Sequence, residues 1–113
     1  MKKLYLYVVL CAIPLAVLAD EWRILSGPEI LQALTDKTVY YDNGTQFFFA
    51  SGKTLYQVGP PSWGEWRVQG DKYCSVWPPN NIWTCYGFQV SADGERLQFI
   101  DSGGFASDGR FTK

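Results

Sequence analysis

The sequence predicts a mainly-β domain: a small antiparallel meander of seven to eight strands forming a barrel or curled sheet, with one short N-terminal helix and one disulfide. Three observations carry this reading. From Lys37 onward, β-branched and aromatic runs alternate with turn residues at a spacing of roughly eight to twelve positions. The connections between the runs are short, which makes successive strands antiparallel neighbours. Cys74 and Cys85 stand within two adjacent aromatic-rich runs, as a cross-strand pair would. A meander of this length leaves two raw edges unless it curls or closes. A two-sheet sandwich is the runner-up architecture.

The chain opens with Met1-Lys2-Lys3, runs apolar from Leu4 to Leu18 and closes on Val17-Leu18-Ala19. A short positive start, an apolar stretch and small side chains before the cut make a signal peptide over residues 1–19, cleaved after Ala19. About 15 apolar residues fall short of the roughly 20 that span a bilayer, and Asp20-Glu21 follow at once. Cys11 lies inside this segment, and the bulky Leu10 before it does not suit a lipoprotein signal. The expected product is a single β-rich domain, 20–113, periplasmic or secreted, with no stable membrane insertion after cleavage.

The helix comes next. Ser26-Gly27-Pro28-Glu29 reads as a capping box with proline in the first turn, and Leu25 and Ile30 occupy the hydrophobic-staple positions. The helix is expected over Gly27 to Asp36, with Ile30, Leu31 and Leu34 as its buried stripe. Thr38–Tyr41 and Thr45–Ala50 then read as strands around an Asn43-Gly44 turn. Lys53–Val58, Trp63–Gln69, Lys72–Trp77, Ile82–Val90 and Glu95–Asp101 follow, separated by Gly-, Pro-, Asn- and Asp-containing turns. The Gly-rich remainder leaves room for one short strand ending near Phe111.

An exported domain meets an oxidising compartment, so Cys74 and Cys85 are expected to form a disulfide. Direct opposition of the two cysteines also opposes Tyr73 with Tyr86, Ser75 with Thr84, Val76 with Trp83, and Trp77 with Ile82. That leaves Pro78-Pro79-Asn80-Asn81 as the turn. Side chains alternate between faces. The compact apolar set, Cys74, Val76, Trp83 and Cys85, is expected to face the core. The amphipathic set, with Tyr73, Trp77 and Tyr86, is expected to be at least partly exposed, and forms a candidate binding face for a ligand or partner. Trp63 is a further candidate, at a barrel mouth after the Gly59-Pro60-Pro61 loop.

Composition narrows the chemistry. The sequence has no histidine, which removes His-dependent triads and His-ligated zinc. Both mature thiols are expected in the disulfide, and the acids are scattered among turns. No catalytic residue, metal site or cofactor is expected, and the protein reads as a non-enzyme. Removing Lys2 and Lys3 leaves eight basic residues against eleven acidic ones, a net charge of −3. This is no footprint for nucleic acid.

Gly64-Glu65-Trp66-Arg67-Val68, Tyr73-Cys74 and Trp83-Thr84-Cys85-Tyr86 together resemble a pattern in small periplasmic β-barrel proteins of Gram-negative bacteria. There a short helix precedes a Gly-x-Trp strand and a paired-cysteine hairpin. That resemblance implies a periplasmic fold but no particular activity. Ser51-Gly52-Lys53-Thr54-Leu55-Tyr56 is also similar, with one residue more, to the Ser-Gly-x-x-Tyr loop of periplasmic lysozyme inhibitors. The expected function is a non-catalytic exported binding or interaction module of the bacterial envelope. Its partner is a protein or a small apolar ligand. The alternatives are a lipocalin-like barrel for a small apolar or aromatic ligand, and an inhibitor of lysozyme or another extracellular enzyme.

Overall fold

The computed structural model describes residues 21–113. The signal peptide expected at 1–19, its cut after Ala19, and Cys11 lie outside the described residues. The elements run β1 (Trp22–Ile24), α1 (Gly27–Leu34), β2 (Lys37–Tyr41), β3 (Gly44–Phe48), β4 (Lys53–Gln57), β5 (Pro61–Gln69), β6 (Lys72–Val76), β7 (Thr84–Ser91), β8 (Arg96–Ile100) and β9 (Ala106–Arg110).

Strands β2 to β9 form a closed antiparallel barrel in which each strand pairs with its neighbours in sequence. β9 returns to β2 through Tyr40 and Arg110 and closes the ring. The expected meander is therefore a full up-and-down barrel, and the sandwich is not formed. Closure removes the sheet edges that a curled meander would expose.

β1 is an addition that the sequence reading omits. β7 is long, and β6 pairs only with its first residues, at Tyr86, Cys85 and Thr84. The later backbone groups of β7 need a partner on that side. Trp22–Ile24 supplies it, opposite Ser91, Val90 and Gln89. Three residues are too few to show a period of two, so this strand has no signature of its own.

α1 closes the end of the barrel at which β2, β4, β6 and β8 begin. Ser26 caps it, and both halves of the capping box with Glu29 form. The Ser26 amide, then the Arg23 guanidinium at 2.9 Å, hold the exposed Glu29 carboxyl below its ordinary range. Gly27 fixes how the helix meets the barrel. A Cβ there would lie 2.1 Å from the Gly70 carbonyl oxygen, so only glycine fits against the β5–β6 turn. The Gly27 N–H donates to the Asp71 carboxylate at 2.7 Å. Ile30 and Leu34 are fully buried in the core, but Leu31 is 50% exposed and leaves the expected stripe. The helix stops at Leu34, short of the expected Asp36. Asp36 takes a φ of 58°, and its N–H donates to the Phe48 carbonyl, which turns the chain into β2.

Two further boundaries move. The β2–β3 turn is Asp42-Asn43, and Gly44 already belongs to β3, opposite Tyr41. A side chain at Gly44 would collide with the Gln57 carbonyl at 2.3 Å, which accounts for the glycine. The hairpin register is as expected for Tyr73 with Tyr86, Cys74 with Cys85, and Ser75 with Thr84, and the Cys74–Cys85 disulfide is formed. The expected pairs Val76 with Trp83 and Trp77 with Ile82 do not form. β6 ends at Val76, β7 starts at Thr84, and residues 77–83 make a longer loop.

The expected faces of this hairpin are inverted. Tyr73 and Ser75 are buried in the barrel, at 4% and 5% exposure, while the cysteines lie on the outer wall. An eight-stranded barrel has an interior that large side chains must fill. Rings do this and a disulfide does not. Cys74 is still fully buried, on a wall where the Arg67 guanidinium lies 4.0 Å over the Trp83 ring. Inside, Phe48 meets Trp66 at 5.6 Å and Tyr73 at 5.8 Å, and Phe99 meets Tyr73 at 4.9 Å and Phe88 at 5.1 Å. Such edge-on and tilted pairs add to the area they bury.

The disulfide closes a loop of about 12 residues, for which chain entropy predicts about 3 kcal/mol of stabilisation. The double variant Cys74→Ser, Cys85→Ser should lose stability of that order in urea unfolding while keeping the folded barrel's amide NMR pattern. A loss of the barrel itself would mean that the hairpin register depends on the bond.

Candidate functional site

Among the described residues, none plugs the end of the barrel opposite α1. There inward positions from all eight barrel strands, β2 to β9, surround an open cavity of about 490 Å³. Its walls are mostly aromatic: Tyr41, Tyr56, Tyr73, Trp77, Tyr86 and Phe99. Ser62, Ser75 and Ser107 fill the spaces between rings, and Gln46 lies at the floor. Strand alternation places them together, since each sits two residues from another interior position.

Two small residues make room for the rings. Trp77 follows β6 and lies across β5 at Gly64, where a Cβ would come within 2.6 Å of the indole. On the far side, a Cβ at Gly109 would lie 3.3 Å from the Tyr41 ring. Tyr56 stands between Tyr41 and Trp77, 5.9 Å from each, at 64° and 63°. Tyr86 is 6.1 Å from Tyr73. The rings therefore meet at angles, as adjoining walls do, and do not stack into a closed core.

The polar floor is internally satisfied. The Tyr41 hydroxyl donates to Gln46 Oε1 at 2.7 Å, and Gln46 Nε2 donates to Thr54 Oγ1 at 3.0 Å and, more weakly, to the Tyr73 hydroxyl at 3.5 Å. Thr54 passes its own proton to the Phe47 carbonyl at 2.8 Å. Gln46 is 5% exposed, so both amide protons need these partners. Among the described residues, the hydroxyls of Tyr56 and Tyr86 make no hydrogen bond to protein, which leaves them available at the mouth.

Among the described residues, no Asp, Glu, Lys or Arg lines this cavity. Burial raises the Tyr73 phenol to about 12, against the opposing hydrogen bonds from Ser75 and Gln46. Burial also raises Tyr41, with Tyr73 and Tyr56 adding to the effect. Both phenols are neutral donors at physiological pH. Among the described residues, no three His, Cys, Asp or Glu side chains gather as a metal site requires.

Three of the four residues singled out as a binding face come together here: Tyr73 is buried at the back, and Trp77 and Tyr86 are half-buried nearer the mouth. They line an inside wall, not an outer face. Trp63 is elsewhere. It points outward, 55% exposed, and ends a cross-strand row with Leu55 and Phe47. It stacks on Phe49 at 5.8 Å. The inhibitor-like segment is also split, because Ser51 lies in the turn at the helix end while Tyr56 lines the cavity. Tyr41, Gln46, Tyr56 and Gly64 were missed as site residues. A glycine within a strand marks a close approach, and Gly64 was the available signal.

No protein-family model, curated protein or solved structure matches the chain.

The raised phenols give a pH dependence. The folded protein keeps the Tyr73 proton where an unfolded tyrosine, at 10.0, has released it. The resulting stabilisation is complete below pH 10 and is lost as pH rises through about 12. Urea midpoints should fall across this window. Tyr73→Phe should flatten the fall, and an unchanged slope would show that Tyr73 is not buried as described.

Proposed function

We propose that this chain is an exported, non-catalytic binding protein that holds a small molecule in the open mouth of its barrel. The observation that carries the reading is the aromatic-walled cavity of about 490 Å³, reached from one end and backed by a satisfied polar floor. That volume lies within the usual range for ligand sites, which are mostly apolar with a few placed polar groups. Hydroxyls and rings with no charged side chain among them suit recognition. General acid–base catalysis draws most often on His, Asp, Glu or Lys, and among the described residues none of these lines the cavity. The disulfide accords with an oxidising compartment. Export itself rests on the sequence of the first nineteen residues.

A second reading, a protein-interaction module, is favoured by one other observation. The Phe47-Leu55-Trp63 row lies on the outer wall, and Trp63 is half exposed. Aromatic anchors of this kind are common at interface centres. The mouth cavity is the more enclosed and specific feature, so it takes precedence.

Ser107 is an exposed residue at the cavity rim. Ser107→Trp should fill the mouth while changing stability by no more than about 0.5 kcal/mol, the usual range for surface positions. Native mass spectrometry of protein isolated from the envelope fraction should then show a retained small molecule on the wild type and none on the variant. Equal retention by both would place the ligand elsewhere. A bare wild type that captures a protein partner, lost in Trp63→Ala, would favour the second reading.

A further inference from the structure

We propose that the mouth cavity selects a quaternary ammonium group, a methylated cation carried on a larger molecule. This rests on the cavity being a ligand site, as argued above. Electron-rich rings present negative faces, and a cation without N–H groups is held by several such faces together. Tyr41, Tyr56, Trp77 and Tyr86 offer four rings around one space, and adjoining members meet at 63–64° in the Tyr41–Tyr56–Trp77 series. Among the described residues, no lysine or arginine lines the space to repel a cation.

The charge of the loops at the open end points the same way. At the helix end, Lys37, Lys53, Lys72, Arg96 and Arg110 stand among Glu29, Asp36, Asp71, Asp93 and Glu95, so the two signs are mixed there. The four loops at the open end span residues 42–43, 58–60, 77–83 and 101–105. They carry Asp42 and Asp101 and no lysine or arginine. Asp101 accepts the N–H groups of Gly103 and Phe105 through Oδ1, which fixes its charge in the loop beside the mouth. A cation approaching this end meets the two loop carboxylates and no basic loop residue.

The remaining chemistry narrows the cation. A primary ammonium brings three N–H donors that must be accepted when it leaves water. The floor carbonyl of Gln46 accepts from Tyr41, and the lining offers hydroxyls but no carboxylate to take a charge-assisted bond. A methylated nitrogen makes no such demand. A sugar would call for free planar amide or carboxylate groups. The one amide in the cavity is committed to Tyr41, Thr54 and Tyr73.

The test compares choline with 3,3-dimethylbutan-1-ol, which has the same shape with carbon in place of the charged nitrogen. Binding to the oxidised protein is followed by titration calorimetry and by ring-proton NMR shifts. Choline should bind about tenfold or more tightly than the neutral isostere, with shifts at Tyr56, Trp77 and Tyr86. Trp77→Leu should remove most of that preference, and Tyr86→Phe, which keeps the ring, should retain it. Equal or tighter binding of the neutral isostere overturns the ammonium assignment and leaves the cavity as a site for neutral ligands. If neither probe binds, the assignment also fails. Retention of a small molecule by wild type but not Ser107→Trp then decides separately whether the cavity is a ligand site at all.

Discussion

Closing the sheet between β2 and β9 decides which side of every strand is dry. The seam is slight in extent: Tyr40 pairs with Arg110, and Gly109 stands beside it. A Cβ at Gly109 would lie 2.8 Å from Val39 and 3.2 Å from Leu97, so the strands can approach only because nothing projects inward there. β9 itself, Ala-Ser-Asp-Gly-Arg, has little intrinsic strand preference. It is held by β8 along its length and by β2 at one point. Once the ring is shut, eight strands share one interior. The alternation of side chains then commits Tyr73 and Tyr86 to the inside and the disulfide to the outside.

Among the described residues, the two ends of that interior differ because one receives a plug and the other does not. α1 inserts Ile30 and Leu34 and is tied to the β5–β6 turn through Gly27 and Asp71. Above them, Phe48, Phe88 and Leu97 pack to full burial. At the other end the ring of strands continues with no cap among the described residues, and the last inward side chains surround open space. Gln46 marks the boundary between the two halves. A buried amide is costly without partners, and its bonds to Tyr41, Thr54 and Tyr73 tie β3 to β2, β4 and β6 at one level of the barrel. This network holds the walls of the cavity from below and leaves the outer ring faces and two phenol hydroxyls for a visitor.

Much of this was legible in the sequence, and the failures have physical causes. The cap at Ser26–Glu29, the strand rhythm, the closed meander and the Cys74–Cys85 pairing follow from local chemistry that tertiary contacts did not override. The direction in which the cysteine hairpin faces did not follow. Polarity favoured the compact apolar side as the core, but a barrel interior selects for volume, and Tyr73, Trp77 and Tyr86 have it. Tyr73, Trp77 and Tyr86 are therefore neighbours as expected, but on the inner side of the wall. Tyr41, Gln46 and Tyr56 come from strands distant in sequence and meet only through closure, which no single segment encodes. Trp63 was misplaced for a related reason. β5 begins at Pro61, and counting inward from the buried Gly64 and Trp66 puts Trp63 on the outer face.

The central claim is that the tyrosine side of the cysteine hairpin faces the barrel interior. Proton–proton contacts in a NOESY spectrum of the oxidised protein test it directly. The structure predicts contacts from the Tyr73 ring to Phe48 and Phe99, and from the Trp77 ring to Gly64 and Tyr56. Contacts from Tyr73 to Arg67 or Trp83, with the Cys74 methylene protons against Phe48, would mean that the hairpin faces the other way. That result would remove the cavity together with every functional statement built on it.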